Sequence, residues 1–176
     1  MKVKDKILTT ATGLFHHQGY RATGINQIIE EAGIAKGSFY YNFKSKEALC
    51  IAFLERRHIY WMEALEKYVV RHRQKSNEEP ILLAFDFLSF MNKKENFRGC
   101  SFLNILSEIS DDNRAILSVI QDHKTDLRNY IGTLAVNSLL RDHLYLLFEG
   151  ALIESQLFKN QWPIDQAKKI VKSLIK

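Results

Sequence analysis

The sequence predicts an all-α protein: an N-terminal three-helix unit containing a helix-turn-helix, followed by a larger helical bundle. Three observations lead there. Only two prolines, Pro80 and Pro163, and eight glycines interrupt the 176 residues, leaving long stretches free of helix breakers. Apolar residues recur at three- and four-residue spacing along most of the chain. Two short amphipathic runs meet at a glycine, Gly33, early in the sequence. The length suits one compact domain or two small ones. A composition of 46% hydrophobic and 26% charged residues is that of a globular protein.

Ile7, Leu8, Ala11, Leu14 and Phe15 mark a first helix ending near Gln18, where Gly19 stops it. Thr23 is expected to cap a second helix, with Ile25, Ile28, Ile29 and Ala32 inward and Gly33 at its end. A third short helix spans Lys36–Asn42. Ser45 caps a fourth, with Glu47 in its favourable first turn, running past residue 65 through Leu49, Phe53, Ile59, Trp61 and Leu65.

Residues 76–79 read as a linker, and Pro80 suits the first turn of a helix, where its missing donor costs nothing. From 81 to 91 nearly every position is apolar, which places that helix inside a core. After a polar break at 92–99, helices are expected over 100–109 and 113–134, the second with Ile116, Ile120, Leu127, Ile131 and Leu134 on one stripe. A helix over 138–159 would present Leu140, Leu144, Leu147, Ala151 and Phe158. A last helix would start at Pro163 and carry Ile164, Ala167, Ile170, Val171 and Leu174.

Charge is uneven. The net charge is +5, and residues 1–50 hold +3 of it: Lys2, Lys4, Lys6, Arg21, Lys36, Lys44 and Lys46 against Asp5, Glu30, Glu31 and Glu47. An acidic partner fits that balance. Cys50 and Cys100 stand too far apart in sequence for a disulfide framework or a zinc site, and a reducing cytoplasm is the expected setting. Polar residues break the segment after the basic start, so no signal peptide is expected. No apolar run of about 18 residues occurs, so no membrane association is expected. No strand-bounded glycine loop, paired catalytic carboxylates or zincin histidine spacing is found; His16 and His17 share a helix, and His123 and His143 stand apart. No enzyme activity, cofactor or metal is therefore expected.

The segment from Thr23 to Phe43, TGINQIIEEAGIAKGSFYYNF, has the form of two short helices joined by a tight glycine-containing turn. Gly33 permits the left-handed backbone that reverses the chain, Ala32 is small where the helices cross, and Ile28, Ile34 and Phe39 fill the wedge. Lys36, Gly37 and Ser38 open the second helix. Tyr40 and Tyr41 are adjacent and cannot both face inward. Lys44 and Lys46 flank the next helix, where ammonium groups pair readily with phosphates.

Residues 7–54 closely resemble the N-terminal domain of the TetR family of bacterial transcriptional regulators. The matching pieces are Leu14-Phe15, Gly19-Tyr20, Ala22-Thr23, Ile28 and Ala32-Gly33-Ile34, then the unbroken block from Lys36 to Phe43, and finally Lys46-Glu47-Ala48-Leu49. Ile29 and Asn42 depart from the family pattern, where a small alanine and a histidine are frequent. The resemblance implies a DNA-binding transcriptional regulator, with residues 1–47 as the helix-turn-helix DNA-binding domain and 48–176 as a helical effector-binding and dimerisation domain. It implies that Lys36, Gly37, Ser38, Tyr40, Tyr41 and Asn42 lie on the recognition helix, while Thr23 and Lys46 meet the DNA backbone.

The partners implied are a double-stranded, pseudo-palindromic operator, a second copy of the chain and a small-molecule effector. Dimer contacts would fall on 139–158 and 163–174, where Gly150-Ala151 permits close helix approach. Phe85, Phe87, Phe90, Phe102 and Trp61 read first as core; Trp61, Phe85 and Phe102 are also candidate walls of an effector pocket. An effector-independent DNA-associated or protein-interaction module on the same scaffold is the alternative.

Overall fold

A computed structural model describes residues 2–175, and every regular element among them is helical. In chain order these are α1 (Val3–His17), α2 (Ile25–Glu31), α3 (Lys36–Asn42), α4 (Lys46–Arg73), α5 (Pro80–Lys94), α6 (Ser101–Leu106), α7 (Arg114–Thr133), α8 (Arg141–Phe158) and α9 (Trp162–Leu174). A 3₁₀ turn at Ser138–Leu140 leads into α8, which therefore begins slightly later than the periodicity suggests.

The chain divides into two compact units. The first comprises the residues up to Ile59 together with Ser101–Asp122; the second comprises Tyr60–Cys100 and the residues from His123 onward. The 28-residue helix α4 and the helix α7 each contribute to both.

In the first unit, Ile7, Ala11 and Phe15 of α1 point inward, one turn apart, to meet Ile28 and Ala32 of α2 and Phe39 of α3. Leu49, Phe53 and Leu54 of α4 complete this wedge, and Phe15 meets Phe53 edge-on at 5.6 Å. Each of the isoleucine, leucine and phenylalanine side chains contributes about 1.5–3 kcal/mol on burial. Two turns fix the path of the chain. Gly19 (φ 103°) ends α1, its N–H donating to Leu14 O at 3.3 Å, and Gly33 (φ 56°) ends α2. Both conformations disfavour any residue with a Cβ. Ser45 caps α4 as expected, its hydroxyl accepting from the Ala48 N–H at 3.0 Å.

Thr23 departs from its expected role. Gly24, not Thr23, is the N-cap of α2, and no side chain caps that helix. The Thr23 hydroxyl instead donates to Gly19 O at 2.6 Å, closing the α1–α2 loop on itself.

The second unit is built around α5, which, as its composition requires, is buried on nearly every side. Ile81, Phe85, Leu88 and Met91 pack with Leu65 and Val69 of α4, Leu127 and Ile131 of α7, Leu144 and Phe148 of α8, and Ile164 and Val171 of α9. Phe90 is the exception among the apolar residues of α5, 45% exposed while its ring lies against Tyr68 and Phe87. Lys168 of α9 bridges Asp86 of α5 (2.5 Å) and Glu78 before it (3.5 Å). Lys124 and Glu149 form a mostly buried pair at 2.6 Å joining α7 to α8. Of the residues expected on the inner face of α8, Phe158 is instead exposed, because it sits in the last turn, just before Lys159 turns into the left-handed conformation.

Candidate nucleic-acid interface

Helix α3 has two faces. Phe39 is fully buried and Phe43, just past the helix, nearly so; they anchor α3 on the first unit. The opposite face carries Lys36, Gly37, Tyr40 and Tyr41 outward, with Tyr41 84% exposed. A seven-residue helix with one inward anchor must place its remaining residues in solvent, and here these are a cation and two phenols. Ser38 and Asn42 are half-buried, and the Asn42 amide donates to Ser38 O at 2.8 Å. Lys44 reaches back to Tyr40 O at 3.4 Å.

The two residues expected outside α3 are placed differently. Lys46 is half-buried, its ammonium 4.4 Å from the centre of the Tyr20 ring. Burial lowers its pKa, partly offset by Cys50 and Glu108. Thr23 is fully buried, its hydroxyl committed to Gly19 O, so the expected contact with a DNA backbone is not available to its side chain. Cys50 beneath Lys46 is buried, and desolvation pushes its thiol up to about 12. Tyr20 is likewise pushed up to about 12, first by burial and then by Cys50 and Glu47.

Gly37, Ser38, Tyr41 and Asn42 share an open cleft of about 600 Å³ with Lys2, Val3 and Lys4 from the start of α1. Lys2 and Lys4 entered the sequence reading only as part of a charge excess. Their position beside α3 follows from how α1 crosses α3, which no local pattern records.

Phe85 is fully buried against Phe148, and half-buried Trp61 meets Phe87 and Phe148 edge-on, all within the second unit. Phe102 is buried within the first unit. Among the described residues no group of three or more His, Cys, Asp or Glu could hold a metal ion, and no helix is long and apolar enough to cross a membrane.

A glycine-bent pair of short helices, buried on one side and cationic and phenolic on the other, within an all-helical chain, is a helix-turn-helix of the kind that DNA-binding transcriptional regulators carry. Residues 7–53 match the family model of the bacterial regulatory proteins, tetR family.

An uncharacterised HTH-type regulator from the lacX 3′ region of Lactococcus lactis is 31% identical over 111 residues, 61% of this chain. The match spans only 55% of that protein's length. The HTH-type transcriptional repressor NemR of Escherichia coli K12 is 24% identical over 98% of this chain and 93% of its own. Among solved structures, a TetR-family regulator from Streptomyces coelicolor superimposes with a TM-score of 0.82 at 22% identity, covering 98% of this chain and 94% of its own.

Proposed function

We propose that the protein is a ligand-responsive repressor that binds a pseudo-palindromic operator as a homodimer in the cytoplasm. In this division of labour residues 1–47 read DNA, and residues 48–176 hold the effector and the dimer contacts. The observation that carries the reading is the outward face of α3, with Lys36, Gly37, Tyr40 and Tyr41 opposite a fully buried Phe39. Lys36 supplies charge for phosphate, the tyrosines offer hydroxyl donors and flat apolar surface to base edges, and Gly37 lets backbone approach closely. Ser38, Asn42 and Lys46 complete the surface at its margins.

One helix of seven residues reaches only a few base pairs, so specificity calls for two copies on half-sites about one helical turn apart or a multiple of it. An exposed stripe on α8 supports a second copy of the chain there. His143, Leu146, Gly150, Ile153 and Leu157 lie exposed at alternating three- and four-residue spacing, a pattern suited to helix pairing. Trp162, Ile170 and Leu174 add exposed apolar surface on α9. An effector that favours one spacing of the two recognition helices would shift the population away from operator binding.

Selection of bound duplexes from a random pool, followed by titration of the recovered sequence, tests the reading. A two-fold symmetric consensus and a salt-steep affinity are expected. Absence of retention on any duplex at low salt would refute it. A small-molecule screen by thermal shift, repeated with the consensus duplex, tests the effector. No ligand-linked change in DNA affinity would favour the effector-independent module instead.

A further inference from the structure

We propose that the start of α1 forms, with α3, a seat for a DNA backbone phosphate, with Lys2 and Lys4 as its cations. This rests on the DNA-binding reading and extends it to residues outside the helix-turn-helix. The cleft of about 600 Å³ is lined from α1 by Lys2, Val3 and Lys4, and from α3 by Gly37, Ser38, Tyr41 and Asn42. Both walls therefore belong to one compact unit.

The position of Lys4 is constrained, since its ammonium lies 5.7 Å from the centre of the buried Phe43 ring. Lys6, two residues further along α1, lies outside this cleft, its Nζ 3.6 Å from where a Cβ on Gly33 would be.

A phosphodiester is the occupant that fits. The cleft is open rather than enclosed, so it takes an extended strand and not a small ligand. Cations on one wall face polar and phenolic groups on the other, and no acidic side chain lines it. A duplex that placed base edges against Tyr41 would run a flanking strand past Lys2 and Lys4. Such contacts position the protein without reading sequence.

The test compares full-length wild type with the double variants Lys2→Gln/Lys4→Gln and Lys2→Arg/Lys4→Arg. A further pair, Lys75→Ala/Lys93→Ala, controls for net charge. The probes are the selected consensus duplex and a random-sequence pool of about 30 base pairs, roughly three helical turns. Each lost phosphate contact reduces the slope of log affinity against log salt by about 0.9. With two subunits on the duplex the glutamine variant loses four such contacts, so it is expected to flatten that slope by about 3.6 and to bind roughly 10³–10⁴-fold more weakly near 0.1 M salt, equally on both probes. The arginine variant should restore binding, and the control pair should keep the wild-type slope. Circular dichroism and melting temperature verify that each variant is folded.

Wild-type binding with an unchanged slope in a folded glutamine variant would overturn this proposal alone. So would a loss confined to the consensus duplex, which would make the lysines base readers. Failure of the wild type to bind either probe would overturn the DNA-binding reading beneath it.

Discussion

The main-chain N–H of Arg21 donates to the carboxylate of Glu108 at 2.6 Å, and the Arg21 Nε–H donates to the carbonyl of the same residue. The loop between α1 and α2 is thereby held to the chain just after α6, inside one compact unit. His16 and Ser101, 3.1 Å apart and buried, join α1 to the other end of α6. The clasp is close: a Cβ on Gly19 would come within 2.8 Å of the Glu108 carboxylate.

Glu108→Ala removes a charge-assisted acceptor and should cost about 1 kcal/mol, the low end for such bonds because the site is partly exposed. Gly19→Ala should cost about 1–2 kcal/mol through its left-handed backbone, plus whatever displacing the carboxylate requires. Combining the two should cost less than their sum, since removing the carboxylate relieves the close approach. Urea denaturation of the three variants measures this. Full additivity would show that Gly19 and Glu108 do not interact.

Replacing Tyr41 or Lys36 by alanine should leave stability within about 0.5 kcal/mol of wild type, because both side chains lie in solvent. Their effects on DNA should differ in kind. Loss of Lys36 as a phosphate contact, once in each subunit of the dimer, flattens the salt dependence by about 2 and weakens all sequences alike. Loss of Tyr41 as a base contact costs about 1–3 kcal/mol on the consensus and little on random duplex. Titrations at several salt concentrations distinguish the two, and unchanged binding in both variants would remove them from the interface.

The helices were legible where period and punctuation agreed. Ile7, Ala11 and Phe15 mark α1 by spacing alone, and Gly19 and Gly33 mark its turns because both need a left-handed backbone. Thr23 was misleading, since a threonine before a helical run resembles a cap; here its hydroxyl found a nearer acceptor in Gly19 O. Lys46 lies at the start of α4, but its surroundings were not legible, because the Tyr20 ring beneath it arrives from a different loop. The place of Lys2 and Lys4 in the cleft beside α3 was unreadable because it depends on packing between separate helices. On α8 the apolar pattern wraps around the helix: its spacing picks out the inward Leu144 and Ala151, but it also takes in the outward Phe158 and passes over the inward Phe148.

Glu149→Ala should be among the most damaging single changes in the second unit. Lys124 and Glu149 are each about 15% exposed, and their ammonium and carboxylate are 2.6 Å apart. Burial works to lower the Lys124 pKa, but Cys100 and Glu149 outweigh it and leave the pKa raised. A lysine raised in the folded state stabilises below its unfolded pKa, and the contribution is lost as pH rises through the folded value. Wild-type stability should therefore hold through neutral pH and fall only in the alkaline range above about 10.5. Without Glu149 an unmatched buried cation costs about 3–5 kcal/mol, and stability should instead rise with pH as Lys124 loses its proton. Replacing the pair with Lys124→Met/Glu149→Leu should recover most of that loss. Equal stability of Glu149→Ala and wild type at pH 7 would show that the pair contributes nothing.

The exposed face of α8 bears on assembly. Leu146 and Leu157 are 67% and 66% exposed, with Ile153 and Gly150 between them, and a Cβ placed on Gly150 would meet nothing within 4 Å beyond its own helix backbone. Apolar side chains at this spacing bring about 1.5–3 kcal/mol each when covered, and a two-fold partner covers both copies at once. Leu146→Glu/Leu157→Glu places four carboxylates across such a seam while leaving the inward residues Leu144, Phe148 and Leu152 untouched. The variant should sediment as a single chain at micromolar concentration with native helicity. It should also lose the gain in affinity that a two-half-site operator has over a single half-site, while single-half-site binding persists. A variant that keeps the wild-type mass would move the dimer contact away from this stripe, and a wild type that sediments as one chain would show that α8 carries no such seam.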